Sequence, residues 1–364
     1  MHTRPLLSSI LSLALVVATA FADPPPPDWK FEGWLEGSAN SSTARKSNLP
    51  SGFDLFANSA QLDQAWLGIE HPMIKPADGN PGRVGMRFDL YVGTDYFFTR
   101  ARGLFGRQTS EIGFDPIQMY VIGHVDGIAR GSDVQVGRFA SPIGAEFNAG
   151  PPNLTASHSY SFIYDPFTHT GVFASTTLDD YWTLLNGVAT GCDVFVDKAD
   201  QITFLDGLRY VDKTDSKKSA QFFAITDHNR FDVRDGFNNI DVFDLVVTHP
   251  MGKRLLFTGD TIYGFERDVP GLGDVHWLGV VPYFTWTFND TLASTLRLER
   301  FDDHQGNRTG FAGVYDTVTL CATWKATKAL TLRPEVRYDH HDGAAPFEGR
   351  THLATALIDV FVKW

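Results

Sequence analysis

The sequence predicts an all-β protein, an antiparallel up-and-down barrel that crosses a membrane with about 16 strands, where roughly 12 to 18 strands fit the pattern. Three observations lead to this fold. Residues 28–364 form a long series of short runs in which polar and apolar residues alternate. The connections between these runs are in turn tight and long, and aromatic residues make up 13% of the chain.

The first 22 residues have the pattern of a cleaved secretory signal peptide. A short basic start is followed by an apolar stretch at residues 6–17 and by small residues that end at Ala22. This stretch is shorter than the roughly 20 apolar residues that a membrane-spanning helix needs. We therefore expect cleavage between Ala22 and Asp23, a proline-rich periplasmic tether at residues 23–28, and a single barrel domain at residues 29–364.

Composition excludes two classes of protein. The formal net charge of −12 and the dispersed basic residues argue against a nucleic-acid partner, because phosphate binding needs clustered Lys and Arg. Only Cys192 and Cys321 are present, on a predicted long loop and a predicted strand, so a disulfide scaffold does not hold the chain together. Either a hydrophobic core or contact with lipid must do so.

The alternation is clearest in four runs, near residues 84–92, 292–299, 330–339 and 354–364. Successive side chains of a strand point to opposite faces, so each run has one apolar face and one polar or mixed face. A soluble core would not accept a face with this many charges, whereas a water-filled lumen would. The charged positions that we predict to line such a lumen are Arg87, Asp89, Arg297, Glu299, Arg333, Glu335, Arg337 and Asp359.

Connection lengths distinguish a membrane barrel from a soluble sandwich, because only the barrel requires short turns at one rim and long loops at the other. The short connections lie near residues 126–132, 178–180, 212–218, 250–253, 288–290 and 325–328. The long connections lie near residues 43–60, 94–116, 141–169, 190–200, 227–239, 266–274, 302–313 and 339–349. Connection 72–82 should be a short turn by its order in the chain, but it is longer than the others. The strand count could therefore differ by one pair. We expect the turns to be periplasmic and the loops extracellular.

Many aromatic residues lie where runs begin or end, as in the interfacial girdles of membrane barrels. An alternative is that aromatic residues favour strands in any β protein. The residues concerned are Trp29, Trp34, Tyr96, Phe97, Phe98, Trp182, Trp286, Phe288, Trp324 and Trp364.

Five blocks of sequence are specific in combination and span nearly the whole chain. They are 61–72 (QLDQAWLGIEHP), 82–104 (GRVGMRFDLYVGTDYFFTRARGL), 134–146 (VQVGRFASPIGAE), 157–175 (SHSYSFIYDPFTHTGVFAS) and 330–343 (LTLRPEVRYDHHDG). Together they resemble the beta-barrel porin-2, OmpL-like family of outer-membrane barrels. The resemblance implies a barrel in the outer membrane of a diderm bacterium, in contact with its lipid, and a homo-oligomer that is a trimer by analogy. It also implies that the terminal Trp364 is the signal read by the barrel assembly machinery.

Strand number bears on function. A closed barrel of 16 to 18 strands leaves an aqueous channel, whereas about eight strands are filled by their own side chains. The longest connection, residues 141–169, contains four prolines, and we hypothesise that it folds inward and narrows the lumen.

Three other groups of residues resemble functional sites, but each is more simply explained as an ordinary structural feature. Asp339, His340, His341 and Asp342 resemble a metal cluster, but neighbouring side chains point apart, so we interpret them as a solvated loop tip. Cys321 shares the parity of nearby threonines and should face the lumen as an incidental small residue.

The third group resembles parts of a hydrolase. It comprises Ser157-His158 and the pair Asp165 and His169, but the sequence lacks a Gly-x-Ser-x-Gly elbow. We therefore predict no catalytic residues, no cofactor and no metal.

The resulting prediction is a porin that allows passive diffusion of small hydrophilic solutes or ions across an outer membrane. One alternative is an outer-membrane lipid hydrolase, whose serine and histidine would lie on the lipid-facing wall, or a plugged structural barrel. A second alternative is a soluble exported glycan-binding β protein, in which the aromatic residues would be stacking platforms.

Overall fold

The barrel closes because its first and last strands pair with each other. The computed structural model describes residues 29–76, 82–196, 202–227 and 239–364, and within them sixteen antiparallel strands form one closed sheet. The predicted signal peptide and tether, residues 1–28, lie outside the described residues. The strands are β1 (Lys30–Ser42), β2 (Ala60–His71), β3 (Gly85–Gly93), β4 (Gly113–Val125), β5 (Ser132–Ala140), β6 (Thr168–Thr177), β7 (Trp182–Ala189), β8 (Thr203–Val211), β9 (Ser219–Asp227), β10 (Asp241–Pro250), β11 (Leu255–Val269), β12 (Gly273–Asn289), β13 (Leu292–Asp303), β14 (Gly313–Lys325), β15 (Leu330–His341) and β16 (His352–Lys363).

Two one-turn helices lie in long loops. They are α1 (Tyr96–Thr99), between β3 and β4, and α2 (Tyr160–Ile163), between β5 and β6. No helix in the described ranges has both the length and the apolar character needed to span a membrane.

Burial alternates along the strands with the period that the sequence predicts. On β15, Arg333, Glu335 and Arg337 are buried in the barrel, while Val336 and Tyr338 are exposed on the outside. An apolar exterior around a charged interior is the reverse of a soluble barrel and is the pattern of a barrel in lipid.

The connections sort into two rims. The short-turn rim contains residues 126–131, 178–181, 212–218, 251–254, 290–291 and 326–329, together with 72–76 and 82–84, the described parts of a longer connection. The long-loop rim contains residues 43–59, 94–112, 141–167, 304–312 and 342–351, together with 190–196, 202, 239 and 240, the described parts of the β7–β8 and β9–β10 connections. The remainder of the connections predicted near 72–82, 190–200 and 227–239 lies outside the described residues. An isolated bridge between Ile74 and Arg83 extends the pairing beyond β2 and β3, and the described residues contain no additional strand pair there.

One prediction about a loop is wrong. The connection near residues 266–274 is not long, because β11 and β12 continue to pair beyond Glu266, through a register shift, as far as Val269 and Gly273. Only residues 270–272 remain as a turn, in which Gly271 has a positive φ of 81° that suits a residue without a side chain.

The aromatic prediction is confirmed at only one rim. Trp34 faces inward, stacked on Trp66 with a 4.5 Å distance between ring centroids, and Tyr96 is buried in α1, so neither belongs to a lipid-facing girdle. The parity of Trp34 matches that of the inward Glu36, which explains its direction. The aromatic residues exposed beside the short-turn rim are Trp182, Trp286, Phe288, Trp324 and Trp364.

The seam between β1 and β16 is reinforced at the long-loop rim. Pairing runs from Trp34 opposite Lys363 to Ser42 opposite Thr355. Beyond it, the carboxylate of Glu348 accepts hydrogen bonds from the backbone N–H groups of Arg45, Lys46 and Ser47, at 2.7, 2.9 and 3.1 Å. The loop that precedes the last strand is thereby fastened to the loop that follows the first.

Candidate functional site

The loop between β5 and β6, residues 141–167, lies inside the barrel and crosses the lumen. At one wall its backbone N–H of Gly144 donates to Asp244 of β10 at 3.0 Å. At another wall Gln64 of β2 donates to the carbonyl of Asn148 at 2.7 Å and accepts from the N–H of Gly150 at 3.2 Å. The loop that the sequence identifies as longest therefore folds inward, and we call it the inner loop.

Two inward glutamates hold the backbone of the inner loop through its N–H groups. Glu335 of β15 accepts from Ala156 and Ser157 at 2.7 and 3.1 Å. Glu299 of β13 accepts from the N–H of Ser161 at 2.8 Å, within the first turn of α2. A carboxylate suits this position, because the N–H groups of a first helical turn have no partner within the helix.

Three inward arginines hold the same segment through its carbonyls. Arg333 donates to the carbonyl oxygens of Gly150 and Thr155 at 3.1 Å each. Arg297 donates to the carbonyl of Ser157, and Arg337 donates to that of His158. The peptide group between Thr155 and Ala156 is held at both ends, by Arg333 and Glu335, and the other contacts hold neighbouring peptide groups, so main-chain hydrogen bonds fix the path of the inner loop.

Each of these arginines also has a buried carboxylate partner. Arg333 pairs with Asp359 at 2.5 Å and with Glu36 at 2.7 Å, and Arg337 pairs with Asp339 at 2.7 Å. Burying a charge without a partner is costly, while a pair with further hydrogen bonds can be tolerated. The inner loop supplies those further bonds.

Glu146 is the carboxylate that the inner loop itself contributes. It pairs with Arg297 at 3.0 Å, contacts Nδ1 of His158 at 2.6 Å and accepts from the hydroxyl of Tyr283 at 2.6 Å. Burial opposes the ionisation of Glu146, but Arg297, His158 and Tyr283 outweigh it and lower its pKa to about 2.

The structure brings six of the eight predicted lumen residues to the inner loop or to its arginines. These six are Arg297, Glu299, Arg333, Glu335, Arg337 and Asp359. The other two, Arg87 and Asp89, form a separate group at the end of β3 that is nearer the short-turn rim. There Arg87 pairs with Asp89 at 2.8 Å and with Glu70 at 3.1 Å, and it also contacts Glu32. Contact with a permeating solute remains a prediction for all eight.

An acidic cavity of about 30 Å³ beside the inner loop was missed by the sequence analysis. Its charged lining is Glu36, Asp54, Asp63, Asp95, Asp359, His158 and Arg333. Among the described residues, one oxygen each of Glu36, Asp95 and Asp359 is buried without a hydrogen-bond partner. The alternation of β1 carries a signal for Glu36, which shares the inward parity of its strand. Asp63 lies at a register shift between β1 and β2 and is out of step with the inward Gln64 and Trp66, so alternation does not predict that it is buried. Asp54 and Asp95 lie in loops, where alternation carries no information.

The candidate metal cluster is not a loop tip, which corrects the prediction. Asp339, His340 and His341 end β15, where His341 is buried and His340 is exposed on the opposite face. Their side chains therefore diverge, as a strand requires. Within the described ranges, no group of three or more His, Cys, Asp or Glu side chains is arranged to hold a metal ion. Cys321 faces the interior as predicted.

The hydrolase-like residues do not assemble as a catalytic group. Ser157 accepts from Arg297, His158 contacts Glu146, and the described residues contain no hydrogen bond between Asp165 and His169. His169 instead lies 3.0 Å from the hydroxyl of Ser141, with its other ring nitrogen 3.3 Å from a backbone carbonyl oxygen. This pair lacks the carboxylate that orients the histidine of a triad.

Comparisons with known proteins agree with this architecture. A family model described as "Putative beta-barrel porin-2, OmpL-like" matches residues 28–363. No curated protein matches the sequence. Solved structures with the same fold include an anion-selective porin from Comamonas acidovorans (11% identity, TM-score 0.60, 92% of this chain and 99% of that chain covered). They also include the outer membrane channel DcaP of Acinetobacter baumannii (12%, 0.64, 92% and 96%) and the trimer form of Vibrio cholerae OmpT (10%, 0.57, 92% and 99%).

The low pKa of Glu146 predicts how the stability of the barrel depends on pH. Folding lowers this pKa from 4.5 to about 2, so ionised Glu146 stabilises the folded state above about pH 4.5, and this stabilisation is lost as the pH falls towards 2. We expect Glu146→Gln to lower the free energy of unfolding by about 3 kcal/mol at pH 7. Denaturant unfolding in detergent between pH 7 and pH 2 measures the difference, which should shrink below pH 4.5.

The matched control is Glu111→Gln, which changes an exposed glutamate of a long loop. This variant should follow the wild type at every pH. A stability difference for Glu146→Gln that stays constant down to pH 2 contradicts the assignment.

Proposed function

The chain belongs to the beta-barrel porin-2, OmpL-like family and is an outer-membrane channel for the diffusion of solutes, and we propose that its narrowed lumen prefers small hydrophilic cations. The observation that carries this proposal is the acidic cavity, which is lined by five carboxyl groups and one guanidinium group, that of Arg333. Rings of carboxylates favour cations in pores because they replace part of the hydration shell and supply an opposite charge.

The inner loop supports a small size limit for the solute. Glutamates of β13 and β15 hold its N–H groups and arginines of β15 hold its carbonyls, so it occupies the lumen in a defined conformation. Solutes that pass it must be small and must tolerate a charged wall. The same contacts support pore-lining roles for the six predicted residues near the loop, and the group formed by Arg87 and Asp89 would line the path towards the short-turn rim.

Export, assembly and orientation complete the proposal. The signal peptide would be removed between Ala22 and Asp23, and Trp364, exposed beside the short-turn rim, would be read by the barrel assembly machinery. The apolar exterior would contact outer-membrane lipid. We also propose a homotrimer, by analogy with OmpT of Vibrio cholerae in its trimer form. The short-turn rim would then be periplasmic and the long-loop rim extracellular.

We further propose that the protein has no enzymatic activity. A lipid hydrolase would need its serine and histidine on the lipid-facing wall, whereas His169 of the Ser141–His169 pair is buried. A soluble glycan-binding protein is disfavoured by the exposed apolar side chains on the outside of the barrel, such as Val318, Leu320 and Val336.

The test of the proposed function is single-channel conductance of the refolded mature protein, residues 23–364, in a planar bilayer with a salt gradient. We expect discrete open steps and a reversal potential of the sign that indicates cation preference. A reversal potential of the opposite sign would refute the cation preference but not the channel function. Protein that is inserted and folded, as judged by its heat-dependent gel mobility, but that carries no current would instead be a plugged structural barrel.

The pKa of Asp54 predicts that selectivity changes with pH. Burial and the nearby charge of Glu335 raise the pKa of Asp54 from 3.8 to about 7, against a weaker opposing effect of its hydrogen bond from Asn40. Asp54 therefore gains its negative charge as the pH rises from 6 to 8. We expect the cation preference of the wild type to increase over this range and that of Asp54→Asn to change much less. Reversal potentials at pH 6, 7 and 8 measure both, and identical profiles would contradict the role of Asp54.

Removing two inward arginines should change both selectivity and conductance. The double variant Arg333→Ala with Arg337→Ala removes positive charge from the lumen and removes the donors that hold the inner loop. We expect a reversal potential shifted towards stronger cation preference and a larger conductance. The control is Arg300→Ala, since Arg300 is exposed and pairs with Asp316 on the outer face. No shift in the double variant would reject the pore-lining role.

A further inference from the structure

A second cavity, of about 540 Å³, lies at the long-loop rim, where five loops converge. It is lined by residues of the loops that follow β1, β3, β5, β7 and β13, and we call it the vestibule. Its volume is in the range of ligand-binding pockets, which is roughly 300 to 1,000 Å³. The acidic cavity is lined by Phe53, Asp54 and Asp95 and by part of the inner loop, together with strand residues, and it shares no lining residue with the vestibule.

One part of the vestibule is apolar and rigid. Phe97 and Leu49 remain exposed to it, by 45% and 44% of their surfaces, although both are large apolar side chains. Phe98 and Phe167 of the same wall are held by Phe53, with ring centroids 4.5 and 5.9 Å away. Exposed apolar surface on a wall that cannot collapse is suited to the apolar part of a ligand.

The vestibule also contains a buried carboxylate without a partner. Asp165 is 7% exposed, and its Oδ1 has no hydrogen-bond partner among the described residues. A buried acceptor left without a donor costs free energy, which a ligand with N–H groups would recover. Burial and the nearby Asp260 raise the pKa of Asp165, so this position favours any partner that brings a proton or a positive charge.

Positive charge lies in the same cavity. The guanidinium of Arg100 donates through Nε to the carbonyl of Phe97 and through Nη1 to the carbonyl of Gln108, at 3.3 and 3.0 Å, and lies 4.6 Å from the centre of the Phe97 ring. These contacts orient the guanidinium plane and use neither proton of Nη2. Arg102 and Arg308 also line the vestibule, as does Asp193, and Arg308 pairs with Glu266 at 3.2 Å.

We propose that the vestibule binds zwitterions that carry an apolar group, which are amino acids or short peptides with an apolar side chain. The ammonium group binds Asp165, the carboxylate binds Arg100, and the side chain packs against Phe97 and Phe98. The inference concerns binding at the rim and goes beyond the proposed cation preference of the lumen, and it rests on the proposed channel only for the passage of a zwitterion after binding.

Other ligand classes fit less well. A neutral sugar compensates neither the carboxylate nor the guanidinium group, and both would lose hydration when the cavity is filled. A simple organic anion leaves Asp165 without a donor, and a simple organic cation makes no use of the guanidinium of Arg100. A zwitterion compensates both charges and uses the apolar wall.

The test is calorimetric binding to the refolded protein in detergent, which needs no open pore. The probes are L-phenylalanine and glycyl-L-phenylalanine, whose charged groups are separated by different distances, with phenylacetate, phenethylamine and glucose for comparison. We expect at least one zwitterion to bind at least tenfold more tightly than the three comparison compounds. Absence of zwitterion binding, or equal binding of phenylacetate, phenethylamine or glucose, overturns the proposal.

Variants assign the two charges. Asp165→Asn keeps the shape of the side chain and should weaken zwitterion binding at least tenfold, and Arg100→Gln should do the same. The controls Glu111→Gln and Arg107→Gln change exposed charges of the β3–β4 loop outside the vestibule and should bind like the wild type. Heat-dependent gel mobility verifies that each variant is folded. Zwitterion binding unaffected by Asp165→Asn and Arg100→Gln would overturn the assignment even if conductance establishes the channel.

Discussion

The structure depends on hydrogen bonds between buried charged side chains of the wall and the main chain of the inner loop. Glu299 and Glu335 accept from its N–H groups, while Arg297, Arg333 and Arg337 donate to its carbonyls. A loop inside a barrel would otherwise carry many unpaired peptide groups, and the wall would carry many unpaired charges. Each set satisfies the other, so the wall and the loop are stable only together.

This arrangement explains why the lumen can be charged and still closely packed. An ion pair excluded from water contributes little by itself, because desolvation offsets most of the attraction. Additional donors and acceptors change that balance, and here three carbonyls of the inner loop accept from Nη1 of Arg333. At the acidic cavity the compensation is incomplete, since oxygens of Glu36, Asp95 and Asp359 are left without partners in the described structure. Asp244, Asp260 and Asp303 of other strands also have one buried oxygen without a partner there, so the compensation is incomplete at more than one place in the barrel.

The sequence predicts the wall much better than it predicts what fills the lumen. Strict alternation identifies the faces of β13 and β15, because successive side chains of a barrel strand face the lipid and the lumen in turn. Alternation carries no information about loops, so Asp54, Asp95 and the partners of Glu335 could not be found from it. It also explains two errors. The position of Trp34 at the start of a run predicts a girdle, but its parity directs the side chain inward. The polar residues after Glu266 predict a long loop, but they continue the hairpin of β11 and β12.

The contact of Glu348 with the loop after β1 has a consequence for the biogenesis of the barrel. The residues that it joins are about 300 positions apart, and the β1–β16 ladder joins segments still farther apart in the chain. Contacts this distant in sequence form late, and until they form, both end strands present open edges that pair readily with other chains. A chain that lacks its last strand cannot seal its circumference. Completion of translation is thus a precondition for closure, and the interval between synthesis and closure is when the chain is most vulnerable to aggregation and to proteases.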